Sequence, residues 1–242
     1  MSAPQGSRPA RPERLCAIDT LRGIAAVLMV VHHIFFDLVT FSGAPGSLFY
    51  NWVFDLIHYV SAGLFIILAG VSSRFSRNNY KRALRTFGCA LIVSAGSLVA
   101  GEPIIYGVLH FLATAMLLYA LCAPLAVKLE RFCLLPVLCV IGTVIFAPLA
   151  SGAQTAYRCL WMFGWVYPGF YSADYFPLLP WVFVFLFGTW LGALIREERF
   201  PAPFYAVREN FAARIGRHAM LLYLLHQPVI YALALLVRPL FA

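Results

Sequence analysis

Seven apolar runs, each about long enough to cross the hydrocarbon of a bilayer, leave this chain little to fold into but a bundle of transmembrane helices. In lipid every backbone N–H and C=O has to be satisfied within the span, which a helix does on its own. The runs lie at approximately Ala17–Phe41, Trp52–Ser72, Ala83–Ala100, Ile104–Val127, Phe132–Ala150, Tyr175–Ile195 and Ala213–Val237. Of the 242 residues 62% are hydrophobic and 12% charged, and the mean hydropathy of +0.82 is far from that of a soluble domain. No soluble linker, repeat or low-complexity segment separates the runs. An all-α, polytopic transmembrane bundle of about seven spans is therefore expected, with residues 15–242 as a single domain behind a basic tail over 1–14.

Lysine and arginine are unevenly spread among the connections. The first 14 residues hold Arg8, Arg11 and Arg14, the stretch 73–85 holds five basic residues, 128–131 two and 196–217 five. The alternate connections hold only Arg158 and Arg238. By the positive-inside rule the N-terminus is expected in the cytoplasm and the C-terminus outside. The basic leader is read as preceding a retained first helix, because Asp19 and Arg22 interrupt its apolar part and no small-residue cleavage motif follows. Membrane lipids with anionic headgroups account for the formal net charge of +8 without a nucleic-acid partner. Six cysteines (Cys16, Cys89, Cys122, Cys133, Cys139, Cys159) lie scattered through apolar runs and are expected as small hydrophobes, with neither a disulfide framework nor a metal site.

The first run carries ionisable groups where they are expensive. Each costs roughly 2.5–3.5 kcal/mol at the centre of a span, so such groups persist chiefly where they face a bundle interior. At about 100° per residue Asp19, Arg22, His33 and Asp37 fall within an arc of about 60°, whereas His32 points about 100° away. With a rise of about 1.5 Å per residue, His33 lies ~24 Å beyond Ala17, in the outer half, and His58, His110 and His226 share that half. Arg22, Arg217 and His218 lie near the cytoplasmic ends. Two layers follow, a basic inner mouth and an outer layer of imidazole and carboxylate.

Such a layout binds an anion below and moves protons above. His33 and Asp37 are i,i+4 neighbours, so the carboxylate is expected to orient an imidazole that acts as general base. Acyl transfer from a phosphate-bearing carrier uses both layers: the base deprotonates an incoming hydroxyl or amine while inner arginines hold the phosphates. Structural readings stand beside these. An interhelical hydrogen bond would also account for His33 with Asp37, a local ion pair for Asp19 with Arg22, and a satisfied core position for His110 and His226. His32 and His58 are read as structural, and aromatic residues at helix ends as belt residues. Asp174, just before the prolines that open the sixth run, is read as a cap rather than an acid. The aromatic connection Ser151–Asp174 is expected on the membrane surface or folded over the bundle mouth. A proton-coupled transporter with a His/Asp relay is the rival reading, although neither inverted repeats nor paired broken helices are visible.

The run Ile18-Asp-Thr-Leu-Arg-Gly-Ile-Ala25, followed by Met29 and His33-Ile-Phe-Phe-Asp-Leu38, resembles the opening of the heparan-alpha-glucosaminide N-acetyltransferase catalytic-domain family. Three further stretches resemble its bacterial members: Tyr106-Gly-Val-Leu-His-Phe111, Pro168-Gly-Phe-Tyr-Ser-Ala-Asp-Tyr-Phe-Pro-Leu-Leu-Pro-Trp181, and Gly216-Arg-His-Ala219 with Tyr223-Leu-Leu-His-Gln-Pro228. The resemblance implies a multi-pass acyltransferase of the bacterial plasma membrane. It would take an acetyl group from cytoplasmic acetyl-CoA, its co-substrate, to a sugar or glycan acceptor on the far side, without a metal. Asp19, Arg22, His33, Asp37, His110, Arg217 and His226 stand in the matching motifs. In the eukaryotic enzyme the active histidine lies after the first helix and an asparagine matches position 33, whereas here Thr40 to Phe54 holds no histidine. The base is therefore assigned to His33, on its depth and its Asp37 partner. His110 and His226 are expected to bind or polarise the acceptor or thioester, and Arg22 and Arg217, with Asp19, to steady the phosphates of CoA.

Overall fold

The protein, in a computed structural model, is described over residues 15–131, 134–150 and 154–241; the tail expected over 1–14 and Cys133 lie outside the described residues. Nine helices follow one another among them: α1 (Cys16–Thr40), α2 (Trp52–Phe75), α3 (Asn79–Val99), α4 (Val108–Arg131), α5 (Leu134–Ala150), α6 (Leu178–Arg196), α7 (Ala202–Tyr205), α8 (Phe211–Arg217) and α9 (Ala219–Val237). Six of them, α1 to α4, α6 and α9, are long and apolar enough to cross a membrane, and the protein is a multi-pass membrane protein. The 17 residues of α5 reach roughly 26 Å, slightly less than the ~30 Å of a hydrocarbon core. The last run departs from expectation by dividing at His218, whose backbone (φ −108°, ψ 14°) leaves the helix. The break lets α8 lie against the start of α1 while α9 continues alongside it.

Local chemistry starts several of these helices. Asn51 caps α2 by accepting the N–H of Val53 at 3.1 Å and of Phe54 at 3.3 Å. Asn78 does the same for α3 through Lys81, and Asn210 for α8 through Ala213. Asn210 also donates to the Thr20 hydroxyl at 2.9 Å, which ties α8 to α1. These side chains satisfy donors that a helix N-terminus cannot pair internally.

Lateral association rests on close backbone approach. A Cβ on Gly70 of α2 would collide with the Phe185 carbonyl oxygen of α6, and one on Gly188 of α6 with that of Ile67. At the other crossing, a Cβ on Gly23 of α1 would strike the Ala212 carbonyl of α8, and one on Gly216 that of Asp19. Small residues permit such contact, on which packing in lipid depends because burial of apolar surface drives nothing there. Around these crossings α1 packs on α2, α2 on α6, α6 on α5 and α3 on α4. Phe111, Leu109 and Leu112 of α4 meet Ile66 of α2 and Phe185 of α6 in the core, while Leu84, Ile92, Val144 and Leu236 face outward.

Both ends of the bundle are tied by polar groups. At the end carrying Arg22, Arg74 donates to the Tyr119 hydroxyl at 3.0 Å and pairs with Glu130 at 3.0 Å, joining α2 to α4. At the opposite end the connection before α6 folds back over the bundle. There Ala173 N–H donates to the Pro103 carbonyl, Phe176 N–H to that of Tyr106, and the Tyr175 hydroxyl to that of Trp161. The aromatic connection therefore covers the bundle mouth.

Replacing Gly188 by alanine is expected to lower thermal stability in detergent by the equivalent of about 1–3 kcal/mol, the usual cost of overpacking. Gly63→Ala, where a Cβ meets nothing within 4 Å, is expected to be neutral or to stabilise by up to about 1 kcal/mol. Equal melting temperatures for the two variants would contradict the close approach of α2 and α6.

Candidate active site

A cavity opens among α1, α2, α9, the start of α4 and the connection before α6. Ala25, Met29, His32 and His33 line it from α1, and His58, Ser61, Ala62 and Phe65 from α2. Val108, Asp174, Phe176 and Tyr223 complete the wall. The imidazoles form a continuous group: ring centroids lie 4.9 Å apart for His33 and His226, 5.5 Å for His32 and His33, and 5.0 Å for His32 and His58.

Two of these rings are held in one tautomer by the helix they stand on. His33 Nδ1–H donates to the Met29 carbonyl at 2.8 Å. His226 Nδ1–H donates to the Tyr223 carbonyl at 2.8 Å and the Leu222 carbonyl at 3.1 Å. Because a carbonyl only accepts, each neutral ring carries its lone pair on Nε2. The Nε2 of His226 is buried and has no hydrogen-bond partner among the described residues, and neither has Nδ1 of His32. Of these two rings His32 lines the cavity and His226 stands behind His33, and an imidazole nitrogen without a partner is able to exchange a proton with a neighbouring group.

Asp37 does not perform the expected orienting role. Its carboxylate is fully buried and accepts both of its hydrogen bonds from Gln227 Nε2, at 2.9 and 3.1 Å. The i,i+4 spacing loses to the Met29 carbonyl, which already holds His33 from the turn below. Asp37 instead clamps α1 to α9 and so sets His226, the residue before Gln227, beside His33. The Ser42 hydroxyl, donating to the Ala234 carbonyl at 2.7 Å, adds a second tie between this part of the chain and α9.

His110 is not gathered with the others. It is buried on α4 with Phe87 of α3 and Tyr106 as its ring neighbours, at 6.1 and 6.0 Å, and it does not line the cavity. His32 and His58, read from the sequence as structural, do line it. Asp174 is a cap, as expected, but of a different helix: Oδ2 accepts the N–H of Val108, the first residue of α4, at 3.0 Å. The approach is so close that a Cβ on Gly107 would collide with Oδ2. Burial pushes this carboxyl up to about 6, against the pull of the Val108 N–H in the other direction.

At the other end Arg22 pairs with Asp19 at 2.7 Å and donates to the Ser72 hydroxyl at 2.8 Å. Arg82 of α3 donates to the Ser73 hydroxyl at 3.1 Å and the Ala69 carbonyl at 3.3 Å, close enough to Arg22 for the two cations to repel. Two guanidinium groups thus bracket adjacent serines. Arg217 turns to Glu209 on the exposed side of α8. Arg82, not Arg217, is the cation that the fold sets near Arg22, and in the sequence it is one basic residue among five in a connection. Among the described residues no group of three or more His, Cys, Asp or Glu is arranged to hold a metal ion.

The family model described as heparan-alpha-glucosaminide N-acetyltransferase, catalytic, matches residues 14–228. No curated protein and no solved structure matches the chain.

A raised carboxyl binds its proton more tightly folded than unfolded, so Asp174 favours the native state at low pH and that advantage is lost as pH rises. Between about pH 4 and 6 the loss is on the order of 2–3 kcal/mol, levelling off above. Asp174→Asn keeps an oxygen for Val108 N–H and cannot ionise. Its melting temperature is expected to gain on wild type between pH 4.5 and 7.5, and a constant difference across that range would contradict the assignment.

Proposed function

The chain belongs to the heparan-alpha-glucosaminide N-acetyltransferase catalytic family, and from that membership we propose that it transfers an acetyl group from acetyl-CoA to a hydroxyl or amino group of an extracytoplasmic sugar or glycan. Membership makes it a membrane acyltransferase; the donor, the acceptor and the residues that follow are our reading. The observation that carries it is the His33–His226 pair, two imidazoles 4.9 Å apart of which His33 lines the cavity and His226 stands behind it, each with Nδ1 tied to its own helix and Nε2 left as the basic nitrogen.

In this reading His33 Nε2 takes the proton from the acceptor as its oxygen or nitrogen attacks the thioester carbonyl. The tetrahedral intermediate collapses, the C–S bond breaks, and the thiolate of CoA leaves with the proton returned by His33. His226 stands next to His33 to share that proton through its Nε2 lone pair. Asp37 acts through Gln227 by fixing α9, as a positioning residue. Arg22, steadied by Asp19, and Arg82 hold phosphates of the donor at the opposite end, with Arg217 and Glu209 at the rim. His110 has no role at the cavity. The basic end is the cytoplasmic one, following the basic connections, and a bacterial plasma membrane is the setting.

His33→Ala is expected to lower acetyl transfer from acetyl-CoA to a sugar by about 10²–10⁴-fold, the usual contribution of a general base, with an unchanged melting temperature. Arg22→Ala is expected to weaken acetyl-CoA binding by at least about tenfold, as loss of a charged hydrogen bond does. Full transfer by the His33 variant, measured with labelled donor in detergent, would overturn the assignment.

A further inference from the structure

Asp174 is more than a helix cap. Only one of its carboxylate oxygens is committed to α4: Oδ2 takes the Val108 N–H, whereas Oδ1 makes no hydrogen bond among the described residues although the side chain lines the cavity. The other polar side chains on that wall are three imidazoles, the Tyr223 hydroxyl and Ser61, which donates to the His58 carbonyl at 3.1 Å. Among the described residues Asp174 is therefore the one carboxylate that lines the cavity. The backbone on either side of it is pinned. Ala173 N–H donates to the Pro103 carbonyl at 3.0 Å, Phe176 N–H to the Tyr106 carbonyl at 2.9 Å, and the Ser172 hydroxyl to Asp174's own carbonyl at 2.6 Å. A side chain held this rigidly, with one oxygen spare, is a prepared acceptor for a donor that enters the cavity.

We propose that Asp174 is the acceptor-binding residue, its free Oδ1 taking a hydrogen bond from a hydroxyl or amino group of the sugar and turning the reacting group toward His33. This rests on the acyltransferase reading above for the identity of the ligand as an acceptor. The N-terminus of α4 supports the negative charge the contact needs, and burial to a carboxyl of about 6 still leaves it ionised at pH 7.5. The chemistry is common to an amino sugar and a neutral one: a charged amine would gain additionally from the carboxylate, a hydroxyl would use the hydrogen bond alone.

The test is equilibrium binding of glucosamine and of methyl glucoside to the purified full chain at pH 7.5, with no acetyl-CoA present, for wild type, Asp174→Asn and Asp174→Ala. The asparagine variant keeps the cap, so its melting temperature reports that the fold is intact. Weakening of about tenfold or more for glucosamine, methyl glucoside or both in the asparagine variant, with acetyl-CoA binding unchanged, is the expected result. A larger loss for glucosamine identifies the amine as the group Asp174 holds, and equal losses identify a hydroxyl. Sugar binding that is unchanged in Asp174→Asn, or undetectable in wild type, overturns the proposal. Wild type that binds sugar through Asp174 yet transfers no acetyl group would instead overturn the acyltransferase reading and leave this site standing.

Discussion

Where α2 crosses α6 at Gly70 and Gly188, and where α1 meets α8 at Gly23 and Gly216, backbone touches backbone, and the other side chains are arranged about those contacts. In lipid the apolar surface of a helix gains nothing by exchanging lipid tails for another helix, so association depends on van der Waals fit and on polar ties. Close approach at glycine supplies the first and shortens the reach of the second. Arg22 stands one residue before Gly23 and reaches Ser72 on α2, while Arg217 stands one residue after Gly216 and turns away to Glu209. A single contact thus separates two arginines that belong to the same end of the bundle.

The polar groups divide into two sites with different physics. At the basic end, Arg22 pairs with Asp19 and reaches Ser72, and Arg82 holds the neighbouring Ser73, so two guanidinium groups meet at one turn of α2. At the histidine end the groups are imidazoles, two of them with a nitrogen left unpartnered, and the pair Asp37 with Gln227 fixes α9, and with it His226, against α1. A buried carboxylate would be costly alone; two hydrogen bonds from one amide make it a clamp between α1 and α9. The connection before α6 closes the same end, and through Asp174 it both starts α4 and walls the cavity.

Much of this was legible along the chain. The apolar runs specify the helices to within a few residues at most ends, because a span has one length and one period. That ionisable residues inside those spans face the bundle was legible too, since lipid offers them no alternative. The partner of each was not. Asp37 lies one turn from His33 in sequence, yet bonds to Gln227, 190 residues away. His32 points off the stripe that His33 shares with Asp37, and it lines the cavity because the cavity extends toward α2. No periodicity within one helix states where the next helix lies. Asp174 was recognisable as a cap from its place before prolines, but the helix it caps begins 66 residues earlier.

The sequence by itself determined the class of fold, the separation of a basic layer from a histidine layer, and the family, because all three depend on residue type and spacing along single helices. Tertiary structure alone decided which histidines meet, which arginine neighbours Arg22, and that a loop carboxylate closes the cavity. Those outcomes depend on rotations and crossings between helices, and the crossings are set by contacts at glycines whose neighbours are distant in the chain.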